Sequence, residues 1–247
     1  MHGPGGTVVR WAMNSGGTPL LSVRAEARQL VAPDYAELDG QLEHTAGSKA
    51  EAVRSVAGSL DQLTAGLAAL GAVPFEAGAD RRPLTWSAYS WGTHEELYHD
   101  AETRQMERTG QVTAAVALRV TVRDLDRLDD LAGLAAAHPA LNVHRVSWEV
   151  DWDNPAWPQV RAAAIGAAIG KARDYAAALG ATVAHVEHIA DAGLLGGTAP
   201  FQTAYSAGYA RAGGNQSATP ALTPVPQELT ATIEARFRTT DVSLPGA

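Results

Sequence analysis

The sequence predicts an α+β fold: a largely antiparallel sheet of about seven strands, with three long helices packed on one of its faces. Three observations carry this expectation. Apolar and polar residues alternate at every second position in several segments, the pattern of half-buried strands. In other segments apolar residues recur at steps of three and four, the stripe of an amphipathic helix. The strand segments are polar on their second face, whereas a doubly wound parallel sheet needs strands that are apolar on both.

Taken in order, residues 1–18 are rich in Gly and read as a loose arm, leaving 19–247 as a single domain. Leu21, Val23, Ala25 and Ala27 alternate with Ser22, Arg24, Glu26 and Arg28 to give a first strand. Ala32-Pro33-Asp34 is a turn signal. Ala36, Leu38 and Leu42, set between Tyr35, Glu37, Asp39 and Glu43, then form a second strand. Ser48 and Glu51 have capping-box spacing, and Val53, Val56, Leu60, Leu63, Leu67 and Leu70 continue as one helical stripe. Gly71 suits the stop of that helix. Leu84 to Trp91 is aromatic and β-prone, while Thr93 to Gly110 is polar and reads as an exposed loop or short helix.

Val112 to Arg123 alternates most clearly of all. Asp124 is placed as the N-cap of a helix carrying Leu128, Leu131 and Leu134, which ends at His138-Pro139. A fifth strand is expected from Val143 to Trp152. Asp153 or Asn154 can cap the next helix, whose stripe is Ile165, Ile169, Ala172, Ala176 and Leu179, closed by Gly180. Val183 to Ile189 and Leu229 to Arg238 are the remaining strands. The order is therefore β-β-α-β-β-α-β-α-β-β. Between the last two strands lies a Gly/Ala/Ser/Thr/Pro-rich insertion, 192–226, in which Phe201, Tyr205 and Tyr209 recur every four residues.

Composition excludes several functions. With 19 basic against 27 acidic residues the net charge is −8, so no basic footprint for nucleic acid exists. The absence of cysteine removes disulfides, thiol nucleophiles and thiolate metal sites. No apolar run reaches the roughly 18–20 residues that span a bilayer. No secretory leader is visible in 1–18, so a cytoplasmic location is expected.

Several short motifs, in this order and spacing, are similar to those of the SIMPL-domain family. They are Ser22-Val23-Arg24-Ala25-Glu26-Ala27 followed by Ala32-Pro33-Asp34-Tyr35-Ala36, then Val120-Thr121-Val122-Arg123-Asp124-Leu125, and the helix ending Lys171-Ala172-Arg173-Asp174-Tyr175-Ala176-Ala177-Ala178-Leu179-Gly180. Gln227-Glu228 stands where the family usually has Gly-Glu. The resemblance runs from about Leu21 to Thr240. It implies a mostly bacterial envelope or secreted protein, in some members linked to oxidative stress, that forms large homo-oligomers and has no established catalytic residues. The chain departs from the family at Gln227 and in showing no leader.

No residue pattern assigns catalysis, a cofactor or a metal. His185 and His188 are three apart, which on a regular strand puts them on opposite faces. His94, Glu95, Glu96, His99 and Asp100 read as a solvated segment. Trp86, Tyr89 and Trp91 read as core or subunit contact. Trp148, Glu149, Asp151, Trp152 and Asp153 are the candidates for ligand or cation binding, with the three carboxylates on one strand face and the two Trp on the other. Phe201, Tyr205 and Tyr209 are the candidates for an oligomer contact. The expected function is non-enzymatic: a homo-oligomer acting through assembly or surface recognition. The alternative is a small-molecule-binding protein or enzyme using carboxylate and His groups in a Trp-lined pocket.

Overall fold

The computed structural model describes residues 18–99, 104–194 and 222–242. Within them the elements are β1 (Leu20–Val31), β2 (Tyr35–Ala46), α1 (Lys49–Ala69), β3 (Val73–Pro74), β4 (Leu84–His99), β5 (Met106–Val122), α2 (Leu128–Ala137), β6 (Leu141–Glu149), α3 (Ala156–Ala178), β7 (Val183–Asp191) and β8 (Gln227–Thr239). The α+β class stands, and apart from the two-residue β3 the order is the one expected from periodicity. The strands form two sheets rather than one, in the orders β1-β8-β7 and β3-β4-β5-β2-β6. The split falls at Ala32-Pro33-Asp34. Pro33 has no N–H to give a ladder, and the Asp34 N–H donates to the Glu149 carbonyl at 2.8 Å, which commits the chain to β6.

The described residues divide into two compact units. One holds β1, β7, β8 and α3. Its β7 and β8 run antiparallel. The Thr239 N–H donates to the Pro19 carbonyl, while Arg28 reaches Glu228 at the far end, so β1 runs opposite to β8 as well. Leu21, Val23 and Ala25 of β1 and Ile233, Ala235 and Phe237 of β8 face α3, which meets them with Ala164, Ala168, Ala172 and Ala176. The helix therefore buries alanines at a step of four, and the expected Ile165 and Ile169 flank that seam half-buried. Small side chains bring helix and sheet close. Pro155 stands at the N-cap of α3, and Asn154, one residue before it, accepts the Ala156 N–H at 2.9 Å.

The other unit runs from 32 to 151 and is joined by residues 222–227. β5 pairs antiparallel with β2 and β4, and β2 with β6. Ala36, Leu38 and Leu42 of β2, Val116 to Val122 at alternate positions of β5, and Trp148 of β6 face α1 and α2. Ser48 accepts the Glu51 N–H and starts α1, and Gly71 leaves it at φ +80. Asp124 does not cap α2. Its carboxylate takes Arg127 Nε at 2.8 Å, and a 3₁₀ turn, Leu125–Arg127, precedes the helix. No helix of the described residues is long and apolar enough to cross a membrane.

Candidate functional site

The face of the five-stranded sheet turned away from α1 and α2 is charged because the strand period puts Tyr35, Glu37 and Asp39 of β2 on it, beside Arg119 of β5 and Arg145 and Glu149 of β6. Asp39, only 9% exposed, lies cross-strand from both arginines. Arg119 grips it with Nε at 2.7 Å and Nη2 at 3.3 Å, Arg145 donates from the other side, and Arg119 also reaches Glu37 at 3.2 Å. Burial pushes the Asp39 carboxyl up, but the hydrogen bonds and charges of Arg119 and Arg145 outweigh it and hold the group below the usual carboxylate range. Glu37 goes the other way: its burial outweighs the help of Arg119, and Glu149 and Asp39 add repulsion.

A second knot joins it at the end of the sheet. Arg123 makes a fork to Asp151 at 2.8 and 2.9 Å and stacks over the Tyr35 ring at 4.6 Å. Arg81 adds a 2.7 Å bond to the same carboxylate, and the Asp151 N–H donates to Asp34 at 2.8 Å. The Arg123 hydrogen bonds, with Arg81, hold the Asp151 carboxyl below its ordinary value. Burial, with Glu37, Glu149 and Asp151 nearby, pushes the Tyr35 phenol up. These charges are spent on one another, which locks strands and loops together more than it prepares a reacting group.

The residues proposed for ligand binding are placed differently. β6 ends at Glu149, so Glu149, Asp151 and Asp153 do not form the expected ladder on one strand. β2 begins at Tyr35, and beyond its partner Glu149 the chain has no strand to pair with; Asp151 turns to Asp34 instead. Trp148 is core, Glu149 is half-buried, and Trp152 and Asp153 are exposed in a turn, Trp152 at 79%. A cavity of about 20 Å³, room for one water, lies between Leu63 and Leu67 of α1, Leu131 and Leu134 of α2, and the sheet. Its walls carry no Trp. Phe201, Tyr205, Tyr209 and Asp100 lie outside the described residues.

The segment expected as an exposed loop or a short helix, Thr93 to Gly110, is instead the outer half of a hairpin. β4 and β5 stay paired to His99 and Met106, while β2 accompanies β5 only from Val112. Period-2 hydrophobicity is missing there because this arm has no buried face to maintain. Through the pairings Trp91–Val116, Leu97–Arg108 and His99–Met106, the side chains of Trp91, Leu97 and Met106 share one side of the ribbon. They are 69, 49 and 59% exposed. Tyr89, at a bulge, and Tyr98, bonded to Glu107 at 3.0 Å, are exposed on the same arm.

His185 and His188 also depart from expectation. Register shifts in β7 between Val183 and His185 and between Val186 and His188 pair the two histidines with Arg238 and Arg236. Those arginines are two apart on β8, so both imidazoles rise from one face. Gln227, in the place of the family's Gly, opens β8 without a left-handed backbone; among the described residues only Arg104 takes positive φ without being glycine. Its amide is turned inward to the Val225 carbonyl at 2.8 Å.

A family model for SIMPL, described as "Protein of unknown function (DUF541)", matches residues 21–237. No curated protein matches the sequence.

Proposed function

Because the chain belongs to the SIMPL family, whose description assigns no activity, we propose that it acts by self-assembly and surface recognition rather than by catalysis, with the β4–β5 arm as the contact between copies. The observation that carries this is the row Trp91, Leu97 and Met106, held out on a paired ribbon with their side chains in solvent. Large exposed apolar side chains gathered on one side of a rigid element mark an interaction surface. Beyond Trp86, where β3 stops, β4 also presents an edge with no partner among the described residues, which a neighbouring strand can extend. On the same side the ion pair of Glu95 with Arg108, at 3.0 Å, lies between Trp91 and Met106 and gives the row a charged contact as well as apolar ones.

Light scattering behind a sizing column tests the proposal. The full chain is expected to elute as a defined multimer at micromolar concentration. Trp91→Ser with Leu97→Ser is expected to shift it toward the monomer, leaving the far-ultraviolet circular dichroism unchanged. A monomeric parent chain, or a double variant that assembles as before, overturns the reading.

A further inference from the structure

We propose that His185 and His188 are half of a binding site for a zinc-class divalent cation, and that the same pair from a second copy of the chain completes it. The second of the two register shifts in β7, between Val186 and His188, is what makes this geometry. On a regular strand a three-residue spacing sends two rings to opposite faces, but the one extra residue converts it into the equivalent of a two-residue spacing, with the imidazoles cross-strand from Arg238 and Arg236. Same-face neighbours on a strand are about 6.5–7 Å apart along the chain. Two imidazoles can lean together over that span and bind one ion at about 2.0–2.1 Å.

Both histidines are exposed, and β7 is an edge strand whose partner among the described residues is β8 alone. No group of three or more His, Asp or Glu among the described residues is arranged to hold a metal. Glu187, which sits between the two histidines, is held by Arg238 through Nε at 2.7 Å. A tetrahedral ion on this pair thus lacks two ligands. A two-fold related copy supplies them with the same residues, since a symmetric contact places each patch against itself. Arg236, opposite His188, is the adverse element: its charge repels a cation and sets the affinity below that of a closed four-ligand site. An anion is the competing occupant of a face with two imidazoles and two guanidiniums, but the Glu187 ion pair already occupies Arg238. The site goes beyond the assembly proposed above and does not depend on the hairpin.

The test uses the full chain stripped with chelator and titrated with zinc, read by calorimetry and by light scattering. Expected are one ion per two chains, a dissociation constant in about the micromolar range, and a mass at least doubled from its metal-free value and reversed by chelator. His185→Ala or His188→Ala is expected to weaken binding by roughly tenfold or more, since a two-ligand arm becomes one, and Arg236→Gln to tighten it several-fold. The Trp91→Ser, Leu97→Ser variant keeps zinc binding, which separates failure here from failure of the assembly reading. Zinc binding unchanged in either histidine variant, one ion per chain without a mass change, or no saturation below roughly millimolar zinc overturns the proposal.

Discussion

Asp39 concentrates the electrostatics of the larger unit in one carboxylate. It is buried at the crossing of β2, β5 and β6 and is held by Arg119 and Arg145. Removing its charge leaves two guanidiniums facing an amide. Both arginines are more than a third exposed, so solvent screens part of the loss. Asp39→Asn is expected to cost about 1–2 kcal/mol, less than the 3–5 kcal/mol of breaking a fully buried pair, as measured by urea unfolding at pH 7. The pH dependence follows from direction alone. Asp39 and Asp151 have folded-state values below their unfolded ones. Their contribution is complete above the unfolded value, about 3.9, and is lost as pH falls through the folded one. Glu37 has the opposite sign: its raised value means a penalty at neutral pH that lifts as it takes a proton. Stability should therefore fall steeply below about pH 4 in the parent chain and less steeply in an Asp39→Asn, Asp151→Asn variant; equal slopes in acid denaturation would remove the argument. Little of this was legible beforehand. Period-2 spacing puts Glu37, Asp39, Arg119 and Arg123 on the polar face of their strands, but strand order and register decide which of them meet.

Elements were more legible than residues, because hydrophobic period and cap chemistry are local. Ser48, Asn154, Gly71 and Gly180 all mark the helix ends where expected. Gly71, at φ +80 just past the end of α1, sits where an L side chain meets the left-handed penalty of about 1–2 kcal/mol. Nothing stands closer than 3.8 Å to an added methyl there, so Gly71→Ala isolates the backbone cost. A loss near 1 kcal/mol in thermal or urea unfolding is expected, and an unchanged midpoint would mean that the C-terminal turn of α1 adds no strain. The misreadings have a common cause: a local rule lost to a longer-range partner. Asp124 has the chemistry of a cap but is claimed by Arg127. β6 stops at Glu149 because β2 has no residue beyond Tyr35 to pair with it. The β4–β5 arm has no buried face, so no regular period announces it. The bulges of β7 leave one trace in the sequence, a step of three rather than two from Val183 to Val186 to Ile189, which sets these residues opposite Thr239, Phe237 and Ala235 of β8.

At the scale of the whole molecule, the two units are threaded differently. The unit of β1, β7, β8 and α3 is assembled from distant pieces: Arg24 bonds Glu234, and the Thr239 N–H donates to the Pro19 carbonyl. Its sheet cannot close until β1 meets β8, some two hundred residues further along the chain. The other unit is nearly continuous, with β2, α1, β4, β5, α2 and β6 all between residues 32 and 151, and its core of Ala36, Leu38, Leu63, Leu67, Leu118, Val120 and Trp148 lies within that span. Closing long loops costs entropy before any contact repays it, so local pairings form first. Residues 32–151, expressed alone, are therefore expected to fold, with a cooperative melt and protected amides in β2 and β5. Trp148→Ala in that fragment should lower its stability by about 3–5 kcal/mol through the cavity it leaves. A broad, non-cooperative transition for the fragment, or amides exchanging without protection, would show that continuity of chain is not what lets this unit stand. The order of folding inferred from threading would then be wrong.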